Sequence, residues 1–121
     1  MTIHESAENY LEAIWVLGKQ NGTVRSIDVA HHLNLSKPSV SVAIKKLRES
    51  GFVEVDFGGE LSLTAKGAEM AEKVYKRHVL IKSFLLGIGV SEENASEEAC
   101  RIEHVISDET FEKLRIHTEN M

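Results

Sequence analysis

The sequence is poor in the residues that would staple, kink or anchor it. One cysteine, Cys100, occurs among 121 residues, so no intramolecular disulfide framework exists and the thiol is left for packing, metal binding or chemistry in a reducing compartment. Proline occurs once, at Pro38, and there is no repeat, low-complexity tract or obvious linker. No apolar run approaches the roughly 18 residues that span a bilayer, and the amino terminus is polar and acidic rather than basic and then apolar. The expectation is a cytoplasmic chain with no membrane partner. An excess of positive charge is also lacking, since the formal net charge is −5, which argues against a general affinity for polyanions.

What is present is unevenly spread. From Leu35 to Ser50 four cations (Lys37, Lys45, Lys46, Arg48) face one acid, whereas from Ser91 onward nine acids face three bases. A basic working surface and an acidic region with another task follow from that change of sign. Hydrophobic residues at 42% and charged residues at 27% suit one globular domain's worth of core.

Apolar spacing gives the elements. Ala7, Tyr10, Leu11, Ile14, Trp15 and Leu17 recur at three and four, predicting an amphipathic helix from Glu5 to about Lys19 that Asn21-Gly22 stops. Ser26 is the expected N-cap of a second helix through Leu33, and Ser36 that of a third, with Pro38 in the first turn where its missing N–H does no harm. Phe52 to Asp56 alternates at period two, Gly58-Gly59 makes a turn, and Glu60 to Leu63 alternates back as a hairpin. A long helix follows to about Gly87, then one from Ser91 to about Ile106, then one capped by Ser107-Asp108. The fold class is mainly α: a winged helix-turn-helix DNA-binding domain over residues 1–72, then an α-helical metal-binding and dimerisation domain over 73–121.

In a helix-turn-helix the second helix enters the major groove with its first residues at base edges. Here these are Ser36, Lys37, Pro38, Ser39, Ser41 and Val42, short apart from Lys37, so readout is shallow and DNA shape contributes. Lys45, Lys46 and Arg48 come later and suit phosphates. The wing, Phe57 to Glu60, has no cation and is a poor minor-groove reader. With few phosphate anchors per chain, affinity requires a homodimer on double-stranded DNA whose half-sites lie about one helical turn apart. The competing reading is a protein-binding winged helix whose cations are a solvated face.

Cys100, Glu103 and His104 stand at i, i+3 and i+4, so on a helix a thiol, a carboxylate and an imidazole share one face. Asn9 and Glu12 are three apart on the first helix, and His78 lies along the long one. This mixed S/N/O set suits a divalent first-row transition metal. Its rivals are a plain helix with a buried thiol, and an enzyme using Cys100 as nucleophile and His104 as base. The enzyme lacks an orienting third group and an oxyanion hole, and side chains four apart on a helix project in parallel, which favours ligation over attack. His4, His31, His32 and His117 are read as surface or capping residues.

Five segments carry a resemblance over nearly the whole chain: Glu8-Asn9-Tyr10-Leu11-Glu12-Ala13-Ile14, Ser36-Lys37-Pro38-Ser39-Val40-Ser41, Leu63-Thr64-Ala65-Lys66-Gly67, Arg77-His78, and Glu98-Ala99-Cys100-Arg101-Ile102-Glu103-His104-Val105. On these the sequence resembles the diphtheria-toxin-repressor family of metal-dependent transcriptional repressors, which holds the iron-dependent repressors and the manganese transport regulators. The resemblance implies a homodimer that binds iron(II) or manganese(II) between its two domains and then grips a palindromic operator to silence metal-uptake genes, with no small-molecule substrate. Carried over by position, Cys100, Glu103 and His104 match primary ligands of iron-type members, His78 a ligand of both branches, and Glu12 a ligand of manganese-type members. Asn9 stands where iron repressors place methionine and manganese regulators aspartate, and Lys82 and Ser96 where iron repressors place an ancillary glutamate and histidine. The chain ends where iron repressors continue into an SH3-like domain, as in the two-domain manganese regulators. Thiolate ligation favours iron(II), with manganese(II) next, while zinc(II), cobalt(II) or nickel(II) would bind in vitro by the intrinsic affinity order. The alternative within the family is a DNA-binding regulator whose metal site has degenerated.

Overall fold

A computed structural model describes residues 3–120. The elements are α1 (Ile3–Asn21), α2 (Ser26–Leu33), α3 (Lys37–Glu49), β1 (Val53–Val55), β2 (Leu61–Leu63), α4 (Ala65–Gly87), α5 (Glu92–Ile102) and α6 (Asp108–Glu119). The chain divides into two compact units, Met1–Glu72 and Lys73–Met121, with the division falling inside α4. No helix among the described residues is long and apolar enough to cross a membrane.

The first unit is built on the apolar stripe of α1. Tyr10, Leu11, Ala13, Ile14 and Leu17 are buried against Val29 and Ala30 of α2, Val40, Ile44 and Leu47 of α3, Val53 and Leu61 of the hairpin, and Ala71 of α4. Asn34 closes α2 in the left-handed conformation at φ 56°, which a short polar side chain tolerates. Ser36 then caps α3 as its sequence position predicts: its Oγ accepts the Ser39 N–H at 3.3 Å, and Pro38 sits in the first turn. Ser36→Ala is expected to lower the stability of the chain by about 1 kcal/mol, read as a drop in urea midpoint at constant slope. An unchanged midpoint would show that the cap contributes nothing.

The two strands pair antiparallel, Val53 with Leu63, Glu54 with Ser62 and Val55 with Leu61. The hairpin turn is held by Asp56, whose Oδ1 accepts the N–H groups of Gly58 at 2.9 Å and Glu60 at 2.8 Å. A further bridge joins Glu60 to Arg25, Leu61 N–H donates to Val24 O at 2.7 Å, and Arg25 Nη1 donates to Gly58 O at 2.6 Å. This bridge corrects the expected start of α2. Arg25, not Ser26, is the N-cap, because pairing with Glu60 keeps Arg25 extended (φ −123°, ψ 163°) and Asp28 accepts its N–H at 2.8 Å.

In the second unit Val74 and Ile81 of α4 and Ala95 and Ala99 of α5 are buried. Ser91 and Ser107 cap α5 and α6, each Oγ accepting an N–H three residues on. The helix predicted to run to about Ile106 stops earlier. It ends at Ile102 with Glu103 as C-cap, and in the turn that follows the carbonyls of Glu103 and Ile106 accept from the Arg77 guanidinium, at 3.3 and 2.7 Å.

Candidate metal centre

The early end of α5 changes how the candidate ligands are presented. Cys100 lies in the last turn of the helix and is exposed, whereas Glu103 and His104 fall in the turn that follows. The helix expected to carry all three thus ends at Ile102, with Glu103, still helical in its dihedrals, as the C-cap. The second unit brings His78 of α4, Glu103 and His104 together. Glu103 Oε2 is 3.0 Å from His78 Nδ1, and Glu103 Oε1 is 3.3 Å from His104 Nε2. The Glu103 side chain is 0% exposed, that of His104 1% and that of His78 27%.

A carboxylate without solvent access is costly unless a cation or several donors face it. Two imidazoles are among the groups that face it, and the ring nitrogen of an imidazole is a ligand for a divalent ion. A hard carboxylate oxygen beside borderline imidazole nitrogens is the kind of donor that a first-row divalent metal takes, so the chemistry of the residues present fits the implied group. The other candidates, Asn9 and Glu12, are half-buried in the first unit, three apart on α1 and so on one side of it. Lys82 places its ammonium 3.4 Å from Glu92 Oε1, a cation already occupying the carboxylate partner available there.

Arg77, which spacing gave no reason to single out, is a buried cation one residue before His78. Beyond its two carbonyl bonds it donates from Nη2 to Asp108 Oδ1 at 2.5 Å, and its guanidinium lies over the Phe111 ring at 5.6 Å. Asp108 Oδ1 also receives Lys73 Nζ at 3.2 Å. The Lys73 ammonium, and after it the Arg77 guanidinium, hold the Asp108 carboxyl below the usual carboxylate range.

The candidate DNA face is on the first unit. Ser36, Lys37, Pro38, Ser39, Ser41, Val42, Lys45, Lys46 and Arg48 are all exposed, opposite the buried Val40, Ile44 and Leu47 of the same helix. Ser36 and Ser39 are tied through their hydroxyls at 2.9 Å, so this end of α3 offers short, oriented groups. Phe57 at the wing tip is fully exposed. His31, His32 and His117 are exposed, as read from the sequence, and the ring of His117 meets Phe84 edge-on at 6.0 Å. The side chain of His4 lies outside the described residues.

Comparison with known proteins joins both halves to one family. Residues 2–57 match the family model for the iron dependent repressor, N-terminal DNA binding domain, and residues 64–121 that for the iron dependent repressor, metal binding and dimerisation domain. An uncharacterized HTH-type transcriptional regulator of Methanocaldococcus jannaschii is 39% identical over 117 residues, covering 95% of this chain and 94% of that protein. The transcriptional regulator MntR of Escherichia coli is 35% identical over 115 residues, covering 95% of this chain and 74% of that protein. The solved structure of the manganese regulator SloR superimposes with a TM-score of 0.84 at 31% identity, over 98% of this chain and 55% of that one. This chain thus spans about half the length of that structure. A winged-helix reader capped and basic on α3, a second unit built around a buried carboxylate and two imidazoles, and these matches place the chain in the iron-dependent repressor family, the diphtheria-toxin-repressor group of metal-dependent transcriptional regulators.

Proposed function

We propose that this chain is a cytoplasmic, metal-activated repressor: loaded with iron(II) or manganese(II), a homodimer binds a palindromic operator and controls genes of metal uptake or homeostasis. The observation that carries the reading is the Glu103 carboxylate, 0% exposed, between His78 and His104. Those three are the proposed core ligands, with Cys100 and Glu12 joining them and Asn9 offering a neutral amide oxygen. A divalent ion bound there would set a fixed positive charge beside this carboxylate.

The rest is done by the chain. Glu12 belongs to the reader unit and His78, Cys100, Glu103 and His104 to the other. If residues of both units share the ligation, the arrangement competent for DNA is also the one that holds metal better, and by linkage operator DNA raises metal affinity by the same factor. On the DNA, Ser36, Lys37, Pro38, Ser39 and Ser41 would meet base edges and Lys45 and Lys46 phosphates, giving modest direct readout and a steep salt dependence. The thiol favours iron(II) over manganese(II), and zinc(II), cobalt(II) or nickel(II) would substitute in vitro.

The test is a duplex selected from a random library, bound by metal-stripped protein and titrated without oxygen with iron(II), manganese(II) and zinc(II). Affinity is expected to rise at least about tenfold with the cognate ion, a coupling within the usual range. Equal binding in chelator and in metal would instead establish a constitutive regulator with a degenerate site, in keeping with Asn9 and with the Lys82–Glu92 pair.

A further inference from the structure

We infer that Arg77 is a positioning residue for the metal centre: its guanidinium holds the turn from Glu103 to Ile106 and thereby where Glu103 and His104 point. The inference rests on the metal-site reading above. Glu103 keeps helical dihedrals (φ −57°, ψ −24°) and its N–H still donates to Ala99 O at 3.0 Å, but the helix ends there and the segment on to Ile106 is a turn. Arg77 Nη1 donates to both Glu103 O at 3.3 Å and Ile106 O at 2.7 Å, so one group fastens the two ends of that turn. Holding the Glu103 carbonyl restrains the backbone from which its Cα–Cβ bond leaves, and the carboxylate on that bond lies 3.0 Å from His78.

The neighbouring geometry makes this a rigid anchor. Arg77 is 8% exposed and sits in the middle of α4, directly before His78, so the clamp and one ligand share a helical frame. The planar fork sends its second nitrogen to Asp108 at the start of α6, and the Phe111 ring covers the guanidinium. A lysine has no such fork, and its compact, strongly hydrated ammonium cannot bind two carbonyls and a carboxylate in one plane. Of the three acceptors, the two carbonyls should dominate. The Asp108 side chain is 80% exposed, and an ion pair that solvent reaches contributes little.

The experiment compares the wild type with Arg77→Lys, Arg77→Met and Asp108→Asn, titrated with cobalt(II) without oxygen and followed by visible absorption. Histidine ring resonances of the metal-free proteins and their thermal midpoints are recorded alongside. Arg77→Lys is expected to lower cobalt(II) affinity by about tenfold or more, the scale of losing an outer-shell partner, to change the band pattern and to shift the His78 and His104 ring signals. Asp108→Asn should leave affinity within about threefold, since it keeps both carbonyl bonds. Should Arg77→Met fail to fold, Arg77→Lys carries the comparison. If the wild type binds cobalt(II) and Arg77→Lys binds it equally well with the same spectrum and ring shifts, only melting earlier, Arg77 is merely structural and the inference falls. If the wild type itself binds no cobalt(II), the metal-site reading fails first and takes this inference with it.

Discussion

Replacing Glu103 by alanine is expected to abolish the response to metal while leaving the fold intact. The substitution removes the carboxylate that stands between His78 and His104 at 3.0 and 3.3 Å and leaves the two imidazoles without it. Metal affinity should fall by more than about a hundredfold, beyond the roughly 10- to 100-fold typical of an outer-shell partner, because a primary donor and its neutralising charge go together. Stability should move the other way from function. A carboxylate with 0% exposure carries a desolvation cost in the metal-free protein, and deleting it relieves that cost while opening a small cavity. The metal-free variant should therefore melt within about 5 °C of the wild type. Glu103→Gln, which keeps the volume but not the charge, should bind metal nearly as poorly, separating charge from packing. Calorimetry with manganese(II) and operator binding with and without chelator measure the two effects, and a variant that still tightens on DNA when metal is added would remove Glu103 from the ligand set.

Such opposition between stability and site chemistry is where sequence reading works least well. Caps were legible because their chemistry is local: Ser36 and Ser107 each need only an N–H three residues away. The alternation of the hairpin and the apolar stripe of α1 were legible for the same reason. Arg25 as N-cap was not, since its extended backbone is imposed by Glu60 on the other side of the domain's sequence. The end of α5 was not legible either. Nothing between Ala99 and Ile106 breaks a helix by its residue type, and the group that holds the turn found there is a guanidinium far away in sequence, on α4. Spacing alone thus put Cys100, Glu103 and His104 on one face, and the resemblance added His78, but only the fold shows Glu103 facing both imidazoles from a turn. The DNA face needed no such help, because solvent exposure of Lys37, Lys45 and Lys46 follows from the burial of Val40, Ile44 and Leu47 on the same helix.

The largest loss of stability is expected from adding a single methyl group, at Gly67. A Cβ built there falls 2.1 Å from the Phe52 carbonyl oxygen and 3.0 Å from its carbon, both backbone atoms that no side-chain rotation can clear. The approach is close because the start of α4 is tied to the segment before β1. Thr64 N–H donates to Phe52 O at 3.0 Å, Thr64 Oγ1 donates to Gly51 O at 2.7 Å and accepts the Gly67 N–H at 3.1 Å, and the Lys66 ammonium lies 4.3 Å from the Phe52 ring centre. Gly67→Ala must push the helix and Phe52 apart, straining or breaking these bonds beside Val53, which is 1% exposed. Overpacking of this kind costs about 1–3 kcal/mol, and the lost hydrogen bonds add to it. For a chain of this size a loss of about 3 kcal/mol is a drop of roughly 10 °C or more in melting temperature. Gly22→Ala is the informative comparison. There φ is +80° but nothing lies within 4 Å, so the cost is backbone strain alone, about 1 kcal/mol. A thermal scan that ranks Gly67→Ala well below Gly22→Ala supports close packing as the reason for the Gly67 position. Equal midpoints would mean that α4 can slide away from Phe52 at little cost, and that its docking on the wing contributes little to the reader domain.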